Sequence, residues 1–234
     1  MSQMIDFTVP STVPGRTLHA FRCVPDGQVR AIVQLSHGMV EFIDRYKPLA
    51  EYLAARGILV TGHDHLGHGG SIRTKADYGY FAQPDGNRAV LADLHAMTVR
   101  TKELYPGVPY FLLGHSMGSF FGRRFITHYG EWLDGAIFMG TGSQPEPLLW
   151  LGGTVVAAAA WLEGRNGRNE RLHQLVLGSY NRYFEKGKTE HQWLSRVTEE
   201  DEKYEADPYC QFLFTDGAFV DFFQVMLDLK RKRG

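Results

Sequence analysis

Two hydrophobic periods alternate along the first part of the chain. "LHAFRCV" (18–24) switches apolar and polar every second residue, as a half-buried strand does, while "AIVQLSHG" (31–38) is a continuous apolar run closing on a glycine, the mark of a buried strand. With Pro25, Asp26 and Gly27 between them, the two read as a hairpin. "YKPLAEYLAARG" (46–57) places Leu49, Leu53 and Ala54 on one helical face and stops at Gly57, and the next strand is "ILVTGHD" (58–64). A longer helical pattern over 87–105 carries Val90, Leu91, Leu94, Met97, Val99 and Leu104 and is closed by Pro106-Gly107. "YFLLGHS" (110–116), a helix after it, and "GAIFMG" (135–140) complete the series.

Alternating strands and helices joined by right-handed crossovers predict an α/β fold, a mostly parallel sheet with helices on both faces and its site at the strand C-termini. After Gly142 the pattern changes to helical pieces around the polar stretch "EGRNGRNER", without a persuasive buried strand. The expected organisation is a core over 1–141, a helical cap or lid over 142–215, and a helix from 216 to 234 that leads towards further core.

Composition narrows the choice. A 234-residue chain that is 44% hydrophobic can bury a single-domain core, and 25 basic against 26 acidic residues give no electrostatic reason to expect nucleic acid or an anionic membrane as partner. A small neutral molecule fits better. Cys23 and Cys210 are too few for a disulfide framework, and "MSQMIDFTVPS" lacks a secretory pattern, so a cytoplasmic location is expected. "LLWLGGTVVAAAAWL" (148–162) is too short at 15 residues for a membrane span of roughly 20. It could line an acyl channel, touch a lipid surface or bury its apolar side on the sheet domain. The basic tail "KRKRG" (230–234) is explained by the helix dipole and solvation.

The chemistry concentrates in "GHSMGS" (114–119). Gly114-x-Ser116-x-Gly118 between a strand and a helix is a nucleophile elbow: the glycines remove side chains from a tight turn, and the serine hydroxyl projects above the sheet. Acyl transfer also needs two backbone N–H groups for the oxyanion. Met117 supplies one; Met39, reached through the turn at Gly38 after the strand "AIVQL" (31–35), supplies the other, and His37 is a structural histidine in that loop. His63, Asp64, His65 and His68 are clustered, but nothing in their spacing makes them converge on a metal, so no metal or cofactor is expected.

"HGMVEFIDRY" (37–46), "DHLGHGGS" (64–71), "GHSMGS" and "DPYCQFLFT" (207–215), in this order, resemble the monoacylglycerol lipase and lysophospholipase branch of the α/β-hydrolase fold. The resemblance implies a serine ester hydrolase acting on monoacylglycerols or lysophospholipids, with Ser116 as nucleophile, Met39 and Met117 as oxyanion hole, "DHLGHGGS" as a structural loop and the segment after Thr141 as a lid. Transfer of the acyl group to an acceptor other than water would use the same residues.

The family's acid and histidine follow late strands, and neither motif is present; the likeness ends at "FVDFFQVMLDLKRKRG", with the C-terminal strands of the fold apparently absent. Only His128, His173 and His191 follow Ser116. Three expectations compete: a fragment of a longer hydrolase, a catalytically silent acyl-binding relative, or rewired partners with Glu146 as acid and His173 or His191 as base. A strand 135–140 left at the sheet edge further predicts a homodimer or dependence on a missing C-terminal piece.

Overall fold

The apolar runs become β1 (Gln3–Pro10), β2 (Thr17–Val24), β3 (Ala31–Ser36), β4 (Ile58–His63), β5 (Tyr110–His115) and β6 (Gly135–Met139), which form one sheet in the order β1-β2-β4-β3-β5-β6. The computed structural model describes residues 2–177 and 191–231. β4, β3, β5 and β6 are mutually parallel, and β1 and β2 add antiparallel strands at one side. Helices α1 (Lys47–Ala54), α2 (Gly86–Leu104) and α3 (Met117–Tyr129) are the crossovers; α4 (Glu146–Glu163), α5 (Glu170–Leu177), α6 (Thr198–Ala206) and α7 (Asp216–Asp228) follow β6.

The hairpin expected between 18–24 and 31–38 does not form. β2 pairs with β1 and β4, and β4 lies between β2 and β3. Residues 59–63 of β4 are all buried, and an interior place pairs both edges of that strand, whereas a β2–β3 hairpin would push it to the rim. β1 pairs with β2 along its whole length, and the alternation in "MIDFTV" is its local strand signal.

α1 covers one face, setting Ala50 and Ala54 against Phe21, Val33, Leu35 and Val60. α2, α3 and α7 cover the other, where Leu94, Met97, Phe121, Phe125 and Phe219 join Leu18, Ala20 and Leu112. At about 1.5–3 kcal/mol per buried large apolar side chain, these two layers supply the main driving force. Gln34 is buried on the second face with its amide satisfied: it donates to Leu94 O and accepts from Thr98 and Tyr110.

α4 packs on α7, where Gly152 admits Phe223 so closely that a Cβ would lie 2.5 Å from the ring. Leu149 and Val156 are buried there, while Trp150, Leu151, Trp161 and Leu162 remain exposed. The helix thus buries one side on the body and leaves its other side open. No helix among the described residues is long and apolar enough to cross a membrane. β6 is the last strand of the sheet, with Ile137 and Met139 exposed. Of the basic tail, residues 232–234 lie outside the described residues; Lys230 donates to Ser143 Oγ and Arg231 pairs with Asp228.

Candidate active site

The chain crosses from β4 through α2 to β5 on the opposite side of β3, so β3 and β5 flank a switch point where ligands of open α/β sheets bind. Ser36 at the end of β3 is in register with Gly114 of β5, which sets the loop 37–41 beside the turn 114–118.

Ser116 sits in that turn at φ 49° and ψ −120°, a conformation that costs a non-glycine residue about 1–3 kcal/mol. The surrounding bonds hold it there: Ser116 N donates to Met139 O at 2.9 Å, and Ser119 donates to Ser116 O through both N and Oγ. The glycines are sterically required. A Cβ on Gly114 would lie 2.5 Å from Gly118 O, and one on Gly118 would collide with the carbonyl oxygens of Ser36 and His37. Met117 opens α3, where its N–H has no intrahelical acceptor, and the helix dipole adds positive potential.

The loop opposite is strained as well. Val40 has φ 54°, and among the described residues it and Ser116 are the non-glycines with positive φ. For a β-branched residue this is a marked outlier. A Cβ on Gly38 would lie 3.2 Å from Ser116 Cβ, so Gly38, followed directly by Met39, is packed against Ser116.

Glu41 holds loop and elbow together. Its carboxylate accepts from Gly38 N, from Tyr46 Oη at 3.0 Å and from His115 Nδ1 at 2.8 Å, with Arg45 Nε at 3.6 Å. Burial alone would raise this carboxyl, but the hydrogen bond and charge of His115 bring it below its usual range. His115 is reciprocally raised, chiefly by the hydrogen bond to Glu41. Neither Glu41 nor His115 stood out in the sequence, since their pairing spans 74 residues.

Under the loop lies a nest of imidazoles. His37 donates from Nδ1 to Gly38 O and accepts at Nε2 from His65 N, and Ser36 Oγ meets His65 Nε2 at 3.1 Å. The rings of His37 and His65 are 4.2 Å apart, His37 and His68 5.1 Å, and His63 and His65 5.6 Å. Burial holds all four neutral, pushing His37 down to about 3, His63 and His68 to about 4, and His65 well below its ordinary value. Asp64 accepts from Ile43 N and Gly70 N, and burial raises it to about 7. His37 and "DHLGHGGS" thus carry the loop. Among the described residues the ligand atoms that gather within 4.8 Å belong instead to Asp6, His19 and Asp44, and Lys47 already pairs with both aspartates.

A strained serine at a strand-to-helix turn, facing a strained loop, is the arrangement of an α/β-hydrolase. The model of the family described as "Serine aminopeptidase, S33" matches residues 27–234. The chain belongs to that family. It is 44% identical over 93 residues to a monoglyceride lipase homolog of monkeypox virus, covering 38% of this chain and 30% of that protein, and 38% identical over 101 residues to human monoglyceride lipase, covering 40% and 29%. The matched stretches thus span under a third of these relatives' length. A thermostable carboxyl esterase from Bacillus coagulans, solved in complex with glycerol, superposes with a TM-score of 0.86 at 25% identity, over 97% of this chain and 73% of that one.

Within this family member, the residues expected as rewired partners do not assemble. Glu146 begins α4, exposed to solvent, and pairs with neither histidine. Helical order carries it away, because α4 turns onto α7 straight after β6. His173 packs its ring against Phe219. His191 takes Glu205 as its carboxylate partner at 3.2 Å and lies 4.9 Å from the Tyr204 ring, whose hydroxyl donates to Val40 O. His128 is bonded to Thr127 and Arg124 on α3. Among the described residues no imidazole hydrogen-bonds Ser116 Oγ. Tyr204, reaching from α6 to the loop, is a contact that local pattern could not reveal.

Proposed function

We propose that this chain carries the nucleophile and oxyanion hole of a carboxylic-ester hydrolase acting on monoacylglycerols or lysophospholipids. The observation that carries the reading is Ser116, held at φ 49° with its Cβ against Gly38. In this reading Ser116 Oγ bonds to the ester carbonyl carbon, and the carbonyl π pair moves onto oxygen, where the N–H groups of Met39 and Met117 receive it. Collapse expels the alcohol, which leaves with the serine proton, and water then releases the acyl group as the acid. The monoglyceride lipase relatives support the substrate class.

The serine proton requires a base, and none of the described histidines is placed on Ser116. Turnover by this chain alone is therefore slow, at the level that oxyanion stabilisation and binding sustain without a complete triad. That same observation favours a second reading, a silent acyl binder. A third possibility, transfer of the acyl group to another acceptor, differs from hydrolysis only in its product. The free, buried thiols of Cys23 and Cys210 support a reducing, cytoplasmic setting.

The test compares this chain with Ser116→Ala for labelling by a fluorophosphonate and for p-nitrophenyl butyrate hydrolysis. Labelling and turnover that vanish with Ser116→Ala establish the nucleophile. An unlabelled chain that still binds a monoacylglycerol would establish the silent binder instead.

A further inference from the structure

On the far side of β3 from the elbow, the last turns of α2 lie over β1, β2 and β4 and border a solvent-open hollow of about 490 Å³, within the size range of small-ligand sites. Phe7, Met97, Leu104 and Tyr105 form its apolar wall, and Arg22 and Arg100 are its cations. Arg22 rises from the middle of β2 with its Nε enclosed and without a hydrogen-bond partner, its guanidinium 5.5 Å from the Phe7 ring. Neither arginine forms an ion pair among the described residues.

Thr61 and Thr101 also face the hollow, but their hydroxyl protons already go to Phe21 O at 2.9 Å and Met97 O at 2.7 Å. Thr8 and Tyr105 offer neutral hydroxyls, and the guanidiniums are the charged donors left over. A guanidinium without a carboxylate partner keeps charged N–H donors for which an anionic acceptor in the hollow supplies the strongest hydrogen bonds.

We propose that this hollow binds an organic monoanion, a carboxylate on a short apolar stem. Two guanidiniums against the single carboxylate of Glu103 leave the lining about one charge positive, which suits a carboxylate better than a phosphate dianion. The stem lies along Phe7, Met97 and Leu104. The site is separate from Ser116 and stands whether or not the chain hydrolyses esters.

Titration calorimetry and backbone amide NMR with octanoate test it, with octanol and octyl phosphate alongside. Octanoate should shift the amides of Arg22, Thr61 and residues 97–105. Arg22→Met and Arg100→Met should each weaken it about tenfold, the loss of one charge-assisted hydrogen bond. Octanol should bind at least tenfold more weakly, and octyl phosphate no more tightly. Arg100 is exposed on α2, so its variant reports even where Arg22→Met fails to fold. Octanoate affinity unchanged in Arg100→Met, equal binding of octanol, tighter binding of octyl phosphate, or shifts confined to Gly38, His115 and Ser116 would each overturn the assignment.

Discussion

Acidification tests the four-imidazole nest most directly. His37, His63, His65 and His68 are fully buried and held neutral by that burial, with folded values of about 3 for His37 and about 4 for His63 and His68, and with His65 well below its ordinary value, against about 6.5 in the unfolded chain. Because the folded values are depressed, the unfolded chain binds more protons below pH 6.5. The stabilisation is complete above that pH and is lost as pH falls towards 4. Between pH 7.5 and 5, His37, His63 and His68 each cost about 2 kcal/mol, or about 6 kcal/mol for the three, and His65 adds in the same direction. Two buried carboxyls act in the opposite sense, since burial raises Asp64 to about 7 and Asp221 to about 6, and together they return about 4 kcal/mol by pH 5. The raised His19 and His115 favour lower pH as well. The net loss, about 2 kcal/mol before His65 is added, is a sizeable part of an ordinary folding free energy. Urea midpoints followed by tryptophan fluorescence should fall sharply from pH 7.5 to 5. His63→Leu should reduce the histidine contribution over this range by about 2 kcal/mol, as both His63 ring nitrogens lack partners. A midpoint that holds steady or rises on acidification refutes the reasoning.

Four further outcomes follow from particular contacts. Gly118→Ala drives a Cβ into the backbone oxygens of Ser36 and His37, and its soluble yield and thermal midpoint should collapse, a cost of several kcal/mol. Glu41→Gln leaves His115 and Gly38 N without their carboxylate, and chemical denaturation should show a loss of about 3–5 kcal/mol. Tyr204→Phe removes the bond to Val40 O; a stability loss of about 1–2 kcal/mol, with accelerated amide exchange in residues 38–41, is expected. Ile137 and Met139 on the edge strand β6 predict self-association, and Met139→Lys should move sedimentation towards monomer; a monomeric parent chain would count against this.

Much of the fold was legible because its signals are local. The pattern over 87–105 becomes α2 at Gly86–Leu104, and the helix expected over 46–57 becomes α1 at Lys47–Ala54. Strand neighbours were less legible. β2 reads as half of a hairpin until the burial of β4 is known, because period and turn residues describe an element and its exit but not which edge it pairs. The tight turn at Ser116 and its flanking glycines were legible, since that geometry lies within five residues and depends on what a Cβ would strike.

The sequence by itself determined the α/β series, the tight turn around Ser116 and the glycine that lets the loop after β3 turn towards it. Tertiary structure alone decided the company these residues keep. It placed Glu41 between Gly38 and His115, gathered the imidazoles of residues 37 to 68 beneath the loop, and brought Tyr204 to Val40 across 164 residues. It also separated Glu146 from the histidines expected to join it. The physical reason is the range of the forces: φ/ψ sterics and side-chain period act over a few residues. Burial, which shifts these pKa values and obliges polar groups to find partners, exists only once distant segments have packed.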